Sequence, residues 1–288
     1  MSYLSQLKSL VVDIMWSKDD SAKTIVPPEQ RELWCGTPLL RQLKEDRTRN
    51  NYSKNHEQEQ LPTTQEQLIK IGDTFIETLK AIPEDDKRFD WSSILWLLDS
   101  VTLEEDYHLG LRFAEDNGFG DKSWFYCYQG NKDTYLEDYN EKIKEYGDFS
   151  PFNACYIHDE IYDVFDHLKI EHSELGAWQA YLISIASTIL PTFWHGTYLC
   201  RQMVFSEKHW EELKLIRSHA HQPSQLSVDV SPSVKIEGDE AIVSCCFWND
   251  WSGLVRETVY ITFQDGKACF LDKSSRETLI EYNCGFRL

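Results

Sequence analysis

From Leu175 to Cys200 the chain has no Asp, Glu, Lys or Arg, and no other segment matches that length without charge. Leu175, Trp178, Leu182, Ile185 and Ile189 recur at the 3-4-3-4 spacing of one helix face. Tyr181, Ile183, Ala186 and Leu190 fill the other sides, so the predicted helix is apolar nearly all round. Such a helix is either buried in a large core or set in a membrane. Ser173 is placed to cap it, because a hydroxyl there accepts from an unpaired N–H of the first turn. Pro191 stops it by removing a donor and crowding the preceding turn. The uncharged length reaches the ~20 residues that a span requires. However, Gln179, Ser184, Ser187, Thr188, Thr192, His195 and Thr197 interrupt it, and no Lys or Arg clusters at its flanks. The expectation is a buried core helix with no membrane span.

Around it the chain reads as helices first and strands second. Helices are expected over residues 3–16 and 28–45, the second broken at Gly36 and Pro38. A polar loop or linker occupies about 44–63. Thr64-Gln65-Glu66-Gln67 fits a capping box, and Leu68, Ile71, Phe75, Leu79 and Ile82 follow on one face. Asp90 is placed to cap a short apolar helix, WSSILWLLDSV. Further helices are expected over about Leu103–Asn117, residues 134–146, residues 157–168 and about Ser206–Ser218. After Pro223 the pattern alternates. SVKIEG, EAIVSCCFW, LVRETVYITF, KACFL and RETLIEYNC read as strands. In the third, Val255, Val259, Ile261 and Phe263 share a face, with Arg256, Thr258, Tyr260 and Thr262 on the other. Asp265-Gly266 signals a tight hairpin. The predicted class is α+β: a mainly helical body over 1–222, with a small C-terminal antiparallel β-sheet over 223–288 packed on it.

Charge is the other organising feature. The net charge is −19, which argues against a nucleic-acid binder that must neutralise phosphates. Residues 84–174 carry 23 acidic against 8 basic side chains, a net −15. A localised excess of one sign repels itself and suits a partner of opposite sign. Tyr and Trp are interleaved with these acids, as binding surfaces need anchors as well as steering. The candidate partner-binding residues are Glu104, Glu105, Asp106, Glu115, Asp116, Asp159, Asp163 and Asp166.

Catalytic patterns are sparse. His158, Asp159, Asp163, Asp166 and His167 crowd the helix predicted over 157–168, where positions 159, 163, 166 and 167 share a face. Carboxylate and imidazole together suit Zn, Mn or Fe. The adjacent His158-Asp159 is similar to the pair that names the HD-type metal phosphohydrolases. That resemblance implies an alternative, a metal-dependent hydrolase holding its metal with His158, Asp159, Asp163 and His167. The same residues equally make a solvated acidic face opposite Ile161, Val164, Phe165 and Leu168, and this is the preferred reading. His195 near Cys200, and Cys155 near His158, could pair as thiol and base, but no nucleophile motif surrounds them. Phosphate-cradling glycine loops and G-x-S-x-G or H-E-x-x-H motifs are absent. The eight cysteines form no C-x-x-C pair, and the start of the chain lacks the uninterrupted apolar run of an export signal. Reduced, mostly buried thiols in a cytoplasmic protein are expected.

An acidic, leaderless chain without catalytic motifs resembles the bacterial immunity proteins that neutralise polymorphic toxins. The resemblance rests on composition and on those absences. It implies a basic protein partner, such as a toxin, captured by charge and blocked at its active site, with no catalytic residue, cofactor or metal of the chain's own. A structural or scaffold subunit of a larger assembly is the remaining alternative.

Overall fold

The computed structural model describes residues 63–82, 89–114, 122–130, 164–189, 193–194, 197–198, 201–216 and 226–282, all within the unit Cys35–Leu288. Three α-helices are described: α1 (Gln65–Ala81), α2 (Glu174–Ile189) and α3 (Glu207–Ile216). Each begins where the side chains can satisfy its free N–H groups. At α1, Thr64 accepts from the Gln67 N–H while the Gln67 side chain accepts from the Thr64 N–H, the reciprocal capping box. At α2, the Ser173 hydroxyl accepts from the Gly176 N–H at 3.0 Å. Between α1 and the strands, Asp90 caps a 3-10 helix, Trp91–Leu97, in place of the expected α-helix.

The expectation of a mainly helical body with a small C-terminal sheet is overturned. Strand outweighs helix, and a large curled antiparallel sheet dominates the C-terminal half. Residues expected to be helical from Leu103 are instead β1 (Val101–Leu103), a turn, and β2 (Tyr107–Ala114), which pairs antiparallel with β3 (Lys122–Gln129). Asp106 turns the chain with φ 66°, a left-handed conformation that Asp tolerates and a helix interior excludes. The period-two spacing of Leu109 and Leu111, both buried, then reads as strand. So does the aromatic run Trp124–Tyr128, because β-branched and aromatic side chains suit a pleated surface. The helix expected over 157–168 fares similarly. Its described part is a single 3-10 turn, Val164–His167, running straight into β4 (Leu168–Ile170), which pairs with β1. The expected helices over 3–16, 28–45 and 134–146 lie outside the described residues.

Two short strands, β5 (Phe193–Trp194) and β6 (Thr197–Tyr198), pair with each other. The large sheet has six strands: β7 (Gln202–Met203), β8 (Ser233–Glu237), β9 (Glu240–Asn249), β10 (Gly253–Gln264), β11 (Lys267–Phe270) and β12 (Ser275–Ile280). β9 and β10 pair along their length; β8 and β7 share the free side of β9, and β11 and β12 share that of β10. The turn into β11 has the expected Asp265-Gly266, with φ 52° and 76°.

Both faces of this sheet are covered. On the inner face, Ala241, Val243, Cys245, Ile261 and Phe263 join the core formed by α1, α2 and the 3-10 helix. On the outer face, Cys246, Trp248 and Leu254 pack with Trp210 and Leu213 of α3 and with Val204 and Val230. The helix α2 is buried nearly all round: Trp178, Tyr181, Leu182, Ile185 and Ile189 expose 3 % or less. Each such side chain contributes roughly 1.5–3 kcal/mol on leaving water. Its buried polar groups are matched, with Gln179 accepting from the Ser100 N–H at 2.8 Å and the Trp178 indole donating to the Leu68 carbonyl at 2.9 Å. Exposed Ser184 and Thr188 donate to the carbonyls of Tyr181 and Ile185 within their own helix. Among the described residues, no helix is long and apolar enough to cross a membrane.

The start of α2 allows no side chain at Gly176, where a Cβ would lie 2.0 Å from the Glu171 carbonyl oxygen. Ala is favoured over Gly in helices by about 1 kcal/mol, whereas forcing atoms into a filled site costs about 1–3 kcal/mol. Because the obstacle is backbone, the clash prevails. Gly176→Ala is expected to lower stability by about 1–2 kcal/mol in urea denaturation, and an unchanged or raised midpoint would show that the turn at Glu171 gives way.

Candidate functional site

Two polar constellations stand out, one exposed and acidic, the other buried and charged. The first joins three segments far apart in sequence. The Glu104 N–H donates to the His167 carbonyl at 3.0 Å, which ties the β1–β2 turn to the 3-10 turn before β4. The Ile170 N–H donates to the Gly266 carbonyl at 2.6 Å, adding the β10–β11 turn. Side chains reinforce this junction. His167 Nδ1 lies 3.2 Å from Glu104 Oε2, and its ring stacks on Tyr107 at 3.8 Å. Lys267 Nζ lies 3.6 Å from Glu104 Oε1 and donates to the Asp166 carbonyl. The hydrogen bond from His167, with help from Lys267, holds the Glu104 carboxyl below the usual carboxylate range despite some desolvation. Around this core, Glu105, Asp106, Asp166 and Asp265 are exposed.

Of the predicted partner-binding residues, the structure therefore brings Glu104, Glu105, Asp106 and Asp166 together. Glu104 differs from the others because it is engaged within the chain. Glu115, Asp116, Asp159 and Asp163 lie outside the described residues, as does His158. Of the alternative metal ligands only His167 is described, and it faces Glu104 and Tyr107. Among the described residues no group of three or more His, Cys, Asp and Glu is arranged to hold a metal. Of the four described cysteines, Cys127, Cys245 and Cys246 are buried, Cys269 is exposed, and none is in a disulfide.

The second constellation centres on Glu257, which exposes only 4 % of its surface. The alternation that sends Val255, Val259 and Ile261 inward sends Glu257 inward as well. A charge at a core slot of a strand was the available sequence signal, and the face pattern read from the apolar residues passed over it. Cross-strand register sets Cys245 on one side of Glu257 and Arg276 on the other. Its carboxylate accepts from four donors. Arg201 supplies Nη1 to Oε2 and Nη2 to Oε1, the latter at 3.3 Å. Arg276 donates Nε to Oε1 at 2.8 Å, and the Tyr181 hydroxyl of α2 donates to Oε2 at 3.2 Å. Arg201 is placed by its own backbone, whose N–H donates to the Thr188 carbonyl in the last turn of α2 at 2.7 Å. Both guanidiniums lie over the Phe247 ring, with Cζ 4.6 Å from the centroid for Arg201 and 5.8 Å for Arg276.

This site is poorly suited to acid–base or nucleophilic work. Burial pushes the Glu257 carboxyl up, but the two arginines outweigh it and leave it below the usual range. With every acceptor position occupied, it has no capacity left for a substrate proton. Burial raises the Tyr181 hydroxyl and the Cys245 thiol well above their ordinary values, so both stay protonated. Comparison with protein families, with curated proteins and with solved structures finds no match to this chain.

Removing the Glu257 charge strands Arg201, whose side chain is 14 % exposed. Glu257→Gln is expected to cost about 3–5 kcal/mol, because it leaves a buried cation uncompensated. Since the folded carboxyl titrates below its unfolded value, its contribution is complete above the ordinary carboxylate range. That contribution is lost as pH falls through the lowered folded value. Denaturant titrations across acid pH should therefore show a wild-type stability that declines with acid, and a Glu257→Gln stability that declines less. Parallel pH profiles would refute the assignment.

Proposed function

We propose that the chain is a non-catalytic, acidic protein-binding protein of the immunity type, which captures a basic protein such as a toxin and occludes its active site. The observation that carries this reading is the meeting of three sequence-distant turns in one acidic corner. Exposed Glu105, Asp106, Asp166 and Asp265 surround a Glu104–His167–Lys267 junction that holds the turns in register. Backbone segments already held by hydrogen bonds lose little further entropy on binding, and preorganisation of this kind lowers the cost of association. The net −15 of residues 84–174 supplies the longer-range field. That field raises the rate of encounter with a basic surface and weakens as salt shortens its reach. The reading is also supported by the buried cluster, whose Glu257, Tyr181 and Cys245 are all held in unreactive protonation states.

The test is capture of the partner from the native host at low salt, followed by binding kinetics with the purified pair. The triple variant Glu105→Lys, Asp106→Asn and Asp166→Lys leaves Glu104 and its junction intact. Asn is chosen at 106 because it tolerates the positive φ there. The association rate is expected to fall about tenfold or more, and the wild-type rate to fall steeply between low and physiological salt. A triple variant that folds normally and binds at the wild-type rate would remove the acidic corner from the interface. A partner with an acidic surface would overturn the reading altogether.

A further inference from the structure

Glu257 contributes one negative charge to a site that contains two guanidiniums, and Arg201 and Arg276 have no other ion-pair partner among the described residues. The cluster thus keeps one positive charge in excess, in a chain whose net charge is −19. The two arginines are differently occupied. Arg201 commits both Nη groups to Glu257, has its Cζ 4.6 Å from the centre of the Phe247 ring and is 14 % exposed. Arg276 donates only Nε to Glu257 and is 60 % exposed. Its Nη1 and Nη2 therefore have no acceptor among the described residues. The carboxylate holds this guanidinium by its Nε, with Cζ 5.8 Å from the centre of the Phe247 ring, and most of the side chain is open to solvent.

A guanidinium whose inner edge is held and whose outer edge is free is a ready receptor for a second oxyanion. The fork matches two oxygens of a carboxylate or phosphate, and the charge-assisted bonds it makes are the strong class. Tyr181, Arg201 and the Arg276 Nε together fill the acceptors of Glu257, so the carboxylate holds Arg276 without taking its remaining donors. We propose that Arg276, backed by Arg201 and Glu257 over the Phe247 ring, binds one oxyanion group, phosphate or carboxylate, of a small ligand. This proposal is independent of the acidic corner, which lies at other turns of the chain.

The experiment titrates the full chain with inorganic phosphate and, separately, with succinate at constant ionic strength, followed by calorimetry and by melting temperature. One saturable site per chain with a Kd on the order of 1 mM is expected for at least one anion, and the preferred anion identifies the ligand chemistry. Arg276→Gln removes an exposed fork and is expected to weaken that binding at least about tenfold. Arg276→Lys keeps the charge without the planar fork and is expected to recover only part of that binding. Absence of saturation by either anion up to about 50 mM, or equal binding by wild type and Arg276→Gln, would overturn the proposal.

Discussion

Glu257 is a carboxylate buried in the inner face of a sheet, and its need for donors constrains the elements around it. An unpaired charge at that depth costs several kcal/mol even after relaxation. Its four donors come from α2, from the segment before β7 and from β12. Satisfying them requires α2 to bring Tyr181 over β10, and the chain to return to the last turn of α2 at Arg201. It also requires β12 to pair with Arg276 opposite Glu257. A slip of one residue in β12 would carry Arg276 to the other face, because side chains alternate along a strand. Such a network is weak as a source of net stability, since desolvation offsets much of the attraction. It is strong against alternatives, which would strand one of its charges.

The apolar packing and the ionic cluster reinforce each other through α2. Trp178 ties that helix to the end of the first turn of α1 by its bond to the Leu68 carbonyl, and Tyr181, one turn on, reaches Glu257. Between them the helix fills the inner face against Val243, Cys245 and Ile261. One side of the sheet is thus anchored to the helices by dispersion and burial at one end, and by charge at the other. The outer face has a separate small core around Trp210 and Trp248, whose rings meet edge to face at 6.0 Å.

Local signals in the sequence were legible where they act over a few residues. The Thr64 capping box, the Ser173 and Asp90 caps, the five C-terminal strands and the Asp265-Gly266 turn all form as their residues dictate. What escaped was set by tertiary pairing. The run Glu104-Glu105-Asp106 reads as an acidic helix start, yet Asp106 at φ 66° makes it a turn between strands. The charged residues near 166 read as a helix face, yet β4 follows at once because β1 is there to pair with it. Glu257 was overlooked because its neighbours describe a conventional two-faced strand. Its donors, Arg201 and Arg276, lie 56 and 19 residues away. The acidic corner was half visible. Its residues were singled out by charge, but Asp265 joins them through long-range ties, the bond between Gly266 and Ile170 and the reach of Lys267 to Glu104 and the Asp166 carbonyl.

Among the described residues, charge at the surface and charge at depth are held in different ways. Glu105, Asp106, Asp166 and Asp265 lie outside, on turns held by backbone bonds, where water screens each one. Two carboxylates are buried among the described residues: Asp250 accepts from the Trp248 indole, and Glu257 lies between two guanidiniums, which leaves a positive surplus at the edge of the core. A catalytic site typically keeps an acid or base near its titration midpoint so that protons can move. In the buried cluster the reverse holds: the carboxyl is driven down by guanidiniums, while the hydroxyl and the thiol are driven up by burial. Of these three groups only the Glu257 carboxylate carries a charge, and its four donors hold that charge in place. Its part is therefore to set how α2, Arg201 and β12 meet, because any other pairing of these elements would strand a charge in the core.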